Sequence, residues 1–319
     1  MYISINFLND IYIYLFNRVL LVESKAFAPG HITGFVEFPI KEGDPLSIGS
    51  RGAGVCIDKG VITRVSLEPN DDNDVSIYIN NRLSNAEVSR YVIDYYLNHI
   101  NKKFKIIVKH YLDIPIGYGL GSSGAAALSL SLALNDALQL FDKLKAAQIA
   151  HIADLECRCG MGTVTAEYYG GLEMRLKAGA PGVGYVKHID ADGYKVVILC
   201  LKPVSTKEFL TNKISFINGL GGKMLYKLDK EPSIERFLKY SSMFARSIKF
   251  VDDKCYEIMY ELEGHGYYSS LAMFGETVFT IVKDDDINKV NKILAKYGNT
   301  IISSIDSKGA RVIDTKRSS

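Results

Sequence analysis

The stretch Asp113–Ala127, DIPIGYGLGSSGAAA, constrains this chain more than any other. Glycines stand at Gly117, Gly119 and Gly121, two serines follow, and Gly124-Ala125-Ala126-Ala127 opens an apolar run to Leu140. Glycines at this spacing permit backbone conformations closed to other residues and let a ligand approach the main chain. The small and apolar residues after them predict a buried helix over Ala125–Leu140. A helix start offers free N–H groups and the positive end of the helix dipole, so the combination fits a phosphate cradle. Ser122 and Ser123 stand where a hydroxyl reaches a phosphate oxygen or a metal ion on it.

Two nucleotide motifs fit less well. No GxxxxGK[ST] occurs, which excludes a Walker A loop. Gly119–Gly124 matches G-x-G-x-x-G, but Asp113–Ile116 separates it from the strand before it. A dinucleotide fingerprint also needs an acid about 20 residues on, at the end of the next strand. Asn135–Leu140 is still helix there.

The chain has 319 residues, 47% hydrophobic and 23% charged, enough for one large domain or two moderate ones with full cores. A net charge of +2 points to no nucleic-acid partner. Cys56, Cys157, Cys159, Cys200 and Cys255 are too scattered for a disulfide framework, and Cys157-Arg158-Cys159 lacks CxxC spacing. They read as reduced thiols in a cytoplasmic protein. The first 24 residues are apolar but interrupted by Asn6, Asn9, Asp10, Asn17 and Arg18. No run approaches the roughly 20 apolar residues of a membrane span, and no secretory signal is recognisable. Residues 1–24 are expected to be an extension, or an extra element, ahead of a domain that starts near Lys25.

Periodicity predicts strand, turn and strand over Lys25–Phe38 with Pro29-Gly30 as punctuation, then a loop ending in the glycine-rich patch Gly49–Gly54. Strands follow at Val55–Leu67, Val75–Ile79 and Phe104–Tyr111, with a helix at Asn85–Ile100. A second helix, Lys143–Arg158, follows the cradle helix. Strands are expected at Leu172–Leu176, Val183–Ile189 and Val196–Leu201. Helices dominate from Lys207 to Gly264, broken at Gly219-Leu220-Gly221-Gly222. Tyr267–Val282 gives two apolar runs split by Gly275, Asp286–Tyr297 a helix, and Thr300–Ile305 and Arg311–Ile313 two last strands. Grouped strands and grouped helices argue an α+β fold. The expected domains are 25–203, which binds nucleotide, and 204–319.

Candidate site residues come from three places. In the helix Lys143–Arg158, His151, Asp154 and Arg158 share one face, while Glu156 lies toward the other with Ile149 and Ile152. Asp154 is the better candidate for a metal carboxylate, with Glu156 second; otherwise Asp154 is a solvated acid or a partner of Arg158, and His151 a core histidine. Arg175, in an apolar strand, is either an edge charge or a fork for a substrate carboxylate. Ser50, in the glycine patch, is an ordinary loop serine or holds the oxygens of a small ligand; Arg51 ranks below Arg175 as a second cation.

The segment Pro115–Ala125 resembles the phosphate loop of the GHMP kinases (galactokinase, homoserine kinase, mevalonate kinase and relatives), P-x-x-x-G-L-G-S-S-A-A, with Gly124 replacing one alanine. The resemblance implies that Pro115, Gly117, Gly119, Leu120, Gly121, Ser122, Ser123, Gly124 and Ala125 wrap the phosphates of ATP and that Ser123 binds Mg²⁺. Lys25–Phe38 resembles the family's A-P-G-K-x-x-L-x-G-E segment, but His31 stands where lysine is usual and the G-E pair is missing. Ser269–Phe279 fits the family's C-terminal glycine turn loosely. The strings APGHITGF, GSRGAGV, AHIADLECRCGMG and MFGETVF resemble the archaeal pantoate kinase branch.

That branch implies phosphorylation of the 4-hydroxyl of pantoate, in the making of coenzyme A. It puts Ser50, His151 and Arg175 at substrate positions and Ser123 and Asp154 at metal–ATP positions. It also implies a two-domain fold, the N-terminal domain like ribosomal protein S5 domain 2 and the C-terminal one ferredoxin-like, and a homodimer. Many relatives carry a catalytic Asp after the metal-carboxylate helix, where this chain has Thr163. A threonine is no general base near neutral pH, so alignment and electrostatics are expected to carry the transfer, with Thr163 positioning a hydroxyl or phosphate and His151 as the alternative base. The rivals are a homoserine- or mevalonate-type kinase, a nucleotide-binding protein without turnover, and a dehydrogenase.

Overall fold

The apolar stretch after residue 20 forms a single strand, β1 (Leu21–Glu37), and not the strand, turn and strand expected around Pro29-Gly30. The proline is absorbed at a bulge, where a missing N–H costs the ladder little. Register with β2 (Arg51–Pro69) shifts between Pro29 and Gly30 and again between Thr33 and Phe35. Strand β2 also takes in Gly52 and Gly54, expected in a loop. The computed structural model describes residues 21–39, 43–204 and 206–318; most of the expected N-terminal extension lies outside them.

Next along the chain come β3 (Asp74–Ile79), β4 (Arg82–Leu83), α1 (Glu87–Leu97), β5 (Phe104–Leu112), α2 (Ser122–Leu138) and α3 (Lys143–Glu156). A short helix that periodicity did not foretell, α4 (Thr163–Tyr169), precedes β6 (Leu172–Lys177), β7 (Tyr185–Ile189) and β8 (Tyr194–Lys202). Then come α5 (Thr206–Lys230), α6 (Ile234–Ile248), α7 (Asp253–Gly264), β9 (Ser270–Leu271), β10 (Glu276–Lys283), α8 (Ile287–Leu294), β11 (Thr300–Ser304) and β12 (Arg311–Ser318).

One sheet has the order β12-β1-β2-β5-β3-β4, with β6 and β7 extending from the first half of β2; the other runs β11-β8-β10-β9. This is the α+β arrangement expected. Two strands cross the division expected at 203/204: β8 precedes it but belongs to the second sheet, and β12 follows it but pairs with β1.

Two cores meet along β1. Before the bulge, Ala26 and Ala28 pack with Val61, Val65, Leu128 and Ala150. After it, Ile32 and Phe35 pack with Val197, Phe237, Phe244 and Phe279. His31 therefore stands at the hand-over between the cores. Helix α2 is buried almost all round, as its composition requires. Ser129 and Ser131 donate to the carbonyls of Ala125 and Ala146 at 2.6 Å each, so neither hydroxyl is left unsatisfied.

Helix α5 runs straight through Gly219-Leu220-Gly221-Gly222, where a break was expected. Close approach to β1 decides this: a Cβ at Gly221 would collide with the Val36 carbonyl, and one at Gly222 would sit 2.5 Å from Glu37 Oε1. These glycines serve helix–sheet contact, which outweighs their low helix propensity of about 1 kcal/mol each.

Candidate active site

The cradle is built as its glycines require. Gly117, Gly119 and Gly121 have φ of +88°, +75° and +74°, the left-handed region that favours glycine. Helix α2 begins at Ser122, three residues earlier than expected, with Gly121 as its cap, so both serines sit in the first turn beside free N–H groups. The Val204 N–H donates to the Gly117 carbonyl at 2.9 Å, and the His31 N–H to the Leu120 carbonyl at 3.0 Å. From the other side comes the turn before β10. A Cβ at Gly119 would lie 3.1 Å from the Gly275 nitrogen, and one at Gly275 would collide with the Tyr118 carbonyl. The C-terminal glycine turn thus lies against the loop, as expected.

The loop borders a cavity of about 690 Å³, a size usual for small-molecule sites. Gly117, Gly119, Leu120, Gly121, Ser122, Ser123 and Gly124 line it, together with Asp154, Thr163 and Ser50. Pro115 lies just upstream, and Ala125 is buried in α2, its N–H bonded to the Gly121 carbonyl. The turn after α3 explains its own glycines. A Cβ at Gly160 would strike the Asp154 carboxylate, and one at Gly162 would strike the Ser50 hydroxyl. Gly160 and Gly162 therefore admit both groups to one wall, with Thr163 next to them.

Of the two acids considered on α3, Asp154 lines the cavity and is 2% exposed, while Glu156 is exposed. Asp154 Oδ1 has no hydrogen-bond partner among the described residues. Burial pushes its carboxyl up to about 7. Glu167, on α4 four residues after Thr163, is fully buried with both oxygens unpartnered among the described residues. A Cβ at Gly121 would lie 2.6 Å from Glu167 Oε1, and one at Gly124 3.0 Å from Oε2. Burial, then the Asp154 charge, raises the Glu167 carboxyl well above the usual carboxylate range.

Two buried carboxylates without partners beside a phosphate cradle fit a divalent cation that would neutralise them. No group of three or more His, Cys, Asp or Glu placed to hold a metal ion by themselves occurs among the described residues. A cation here would be shared between one or two side chains and phosphate oxygens.

His151 and Arg175 are buried and do not line the cavity, His151 in the manner of the core-histidine alternative. His151 is 1% exposed; its Nε2 donates to the Ile48 carbonyl at 3.0 Å, and the Pro45 carbonyl also faces the ring. It clamps the 3-10 turn Pro45–Ser47 against α3. Arg175 is 2% exposed and bound through Nη1 to Glu173 Oε1. The register of β6 on β2 sets Arg175 against Gly52 and Glu173 against Gly54. A Cβ at Gly54 would collide with His31 Nε2. The glycine patch therefore makes room for a buried ionic group as well as for the cavity wall.

Sequence reasoning passed over Glu167 and Glu173 and noted His31 only as a departure. Glu173 and Arg175 are i and i+2 on one face of a strand, a period-2 signal for an acid–base pair. Glu167 left no comparable signal, because its unpaired state depends on packing against α2.

Comparison with known proteins agrees with this architecture. Residues 87–171 match the GHMP kinases N terminal domain. A pantoate kinase of Methanocaldococcus jannaschii is 36% identical over 282 residues, 88% of this chain and 99% of that one. A pantoate kinase of Thermococcus kodakarensis is 34% identical over 279 residues, 85% of this chain and 91% of that one. A solved structure described as a phosphotransferase related to the CoA biosynthesis pathway superposes with a TM-score of 0.84 at 32% identity, covering 92% of this chain and 98% of that one.

Proposed function

We propose that this chain, which belongs to the GHMP kinase family on its pantoate kinase branch, transfers the γ-phosphate of ATP to the 4-hydroxyl of pantoate. The observation that carries the kinase reading is the unpartnered Asp154 carboxylate, buried against a glycine loop at a helix N-terminus. The choice of pantoate rests on relatives of that name aligned over nearly their whole length.

The loop amides from Gly117 to Gly124 and the N-terminus of α2 receive the nucleotide phosphates. Mg²⁺, held by the Ser123 hydroxyl and the Asp154 carboxylate, would supply charge neutralisation on those phosphates. Ser50 and Thr163, adjacent on the cavity wall, orient the acceptor. Met273 and Phe274, from the turn that lies against the loop, add apolar surface to the cavity. His151 takes no proton in this scheme, since its Nε2 is engaged by the Ile48 carbonyl and it does not line the cavity. We place the enzyme in the cytoplasm, in keeping with five free cysteines, and as a homodimer, to be read by sedimentation equilibrium.

The deciding experiment measures ADP release with pantoate, homoserine, mevalonate and shikimate. Pantoate should be the preferred acceptor; a higher kcat/KM with any other would overturn the substrate assignment. ATP binding without ADP release on any acceptor would favour a nucleotide-binding protein without turnover. Ser123→Ala and Asp154→Ala should each lose most turnover, and wild-type activity in both would remove the metal site from this wall.

A further inference from the structure

Beside the phosphate loop stands a buried ionic group that the scheme above does not use. His31 and Thr33 line the cavity, Glu173 and Arg175 lie directly behind, and all but Thr33 are at most 2% exposed. His31 Nε2 is 2.9 Å from Glu173 Oε1. Arg175 Nη1 donates to the same oxygen and lies 3.3 Å from His31 Nε2. Thr33 Oγ1 is 3.4 Å from His31 Nδ1.

The hydrogen-bond roles follow from chemistry. Nε2 faces an acceptor, Glu173 Oε1 at 2.9 Å, and a donor, Arg175 Nη1 at 3.3 Å; the nearer carboxylate assigns the proton of a neutral His31 to Nε2. Nδ1 is then the unprotonated, accepting nitrogen, with only the long contact to the hydroxyl of Thr33, a cavity residue, on that edge. The residue is held on two sides: its backbone N–H is tied to the Leu120 carbonyl of the loop, and Gly54 leaves the space that Nε2 occupies. A cavity-facing imidazole, oriented by a buried carboxylate that an arginine in turn holds, is the usual arrangement of a proton acceptor.

We propose that His31 accepts the proton of the acceptor hydroxyl during phosphoryl transfer, with Glu173 and Arg175 as the positioning residues behind it. The proposal rests on the kinase reading of the same cavity. As the acceptor oxygen bonds to the γ-phosphorus, its proton passes to His31 Nδ1. The bond from the γ-phosphorus to the β,γ-bridging oxygen breaks, and ADP leaves with that electron pair. The imidazolium, stabilised by Glu173, later returns its proton to solvent. No oxidation or reduction is involved. The position lacking the family's usual Asp is thereby relieved of base duty, and Thr163 need only orient.

Burial lowers the His31 pKa, the hydrogen bond to Glu173 opposes this, and the Arg175 charge lowers it further. His31 is accordingly neutral, and ready to accept, at neutral pH. The charged groups facing it are Glu173 and Arg175 of β6 and, across Gly121, Glu167 of α4; the Cys56 thiol of β2, pushed up by burial, stays neutral.

The test is single-turnover transfer by the full chain at saturating Mg²⁺ and ATP across pH. The wild type should lose rate on the acid side through one ionisation below the ordinary histidine value, at a pH that tenfold more Mg²⁺ does not move. A flat profile, or a limb that moves with Mg²⁺ as one from Asp154 would, overturns the proposal without any variant. His31→Gln should lose about 10²–10³-fold in kcat and lose the limb, with ATP affinity within about threefold of wild type. Glu173→Gln should move the limb to lower pH, because the imidazolium loses its counter-charge.

Retention of kcat in His31→Gln, or an unmoved limb in Glu173→Gln, overturns it; should either variant fail to fold, the wild-type profile decides. Arg175→Ala should lower kcat with little change in the KM for pantoate. A raised KM at unchanged kcat would instead place Arg175 on the substrate acid. Failure of the kinase reading shows itself separately, as absence of ADP release by the wild type with every acceptor.

Discussion

In metal-free protein, Asp154 should make the fold less stable as pH rises. Its carboxyl is pushed from 3.8 to about 7 by burial alone, and Oδ1 has no partner among the described residues. The folded state therefore binds a proton more tightly than the unfolded chain. The stabilising contribution is complete below pH 3.8 and is lost as pH climbs through about 7. Worked through the linkage relation, the loss is about 4 kcal/mol. Asp154→Asn has the same shape and no titration, so the difference in stability between wild type and variant isolates the effect.

Buried histidines act in the opposite sense in both proteins and cancel: burial depresses His110 to about 4 and lowers His31 and His151. The Asp154 charge also raises Glu167, so the measured difference includes that coupling, with the same sign. Urea midpoints taken in EDTA from about pH 4 to 7.5 give the quantity directly. The wild type should start near or above the variant in acid and fall below it by about 4 kcal/mol at the upper end. A difference flat to within about 1 kcal/mol would refute the placement of Asp154 as a buried, unpartnered carboxyl.

Three substitutions test the glycines. Gly121→Ala forces a left-handed φ at a cost of about 1–2 kcal/mol and sets a methyl 2.6 Å from Glu167 Oε1; ATP titration and a thermal melt should show weakened binding as well as lost stability. Gly54→Ala collides with His31 Nε2 and should lower kcat while leaving ATP affinity within about threefold. Gly221→Ala should destabilise the protein in urea although alanine favours helix by about 1 kcal/mol, because its methyl meets the Val36 carbonyl.

The cradle was legible because it is local. Spaced glycines running into small apolar residues specify their backbone within fifteen positions, and Gly117, Gly119 and Gly121 adopt the conformations that only such a stretch allows. Asp154 over Glu156 followed from helical periodicity in the same way. The burial of Arg175 was not legible because its environment is not local: β6 registers on β2, and β2 on β1, before His31 and Glu173 surround it. Helix α5 passes its glycines because β1 approaches there, and no window of the sequence carries that contact. The bulge at Pro29 is of the same kind, a local breaker overruled by the ladder with β2.

Around the loop the charges do not balance, and this bears on how nucleotide arrives. Asp154, Glu167 and Glu173 are buried there, and the buried arginine, Arg175, is bound to Glu173. Phosphates brought into that setting alone would face Asp154 and Glu167, with the amides and dipole of α2 and the exposed Arg158 of the cavity wall to favour them. A divalent cation reverses the sign of the interaction, since it attracts carboxylates and phosphates together. Nucleotide affinity should therefore depend on the cation more steeply than in a site lined by lysine. Isothermal titration of a non-hydrolysable ATP analogue should show binding at least about tenfold weaker in EDTA than in Mg²⁺, a difference of about 1.4 kcal/mol. Asp154→Asn should shrink that ratio, because one of the two unbalanced charges is gone. Equal affinity with and without the cation would mean that both carboxyls are protonated in the complex, and the loop would then hold phosphate by its backbone alone.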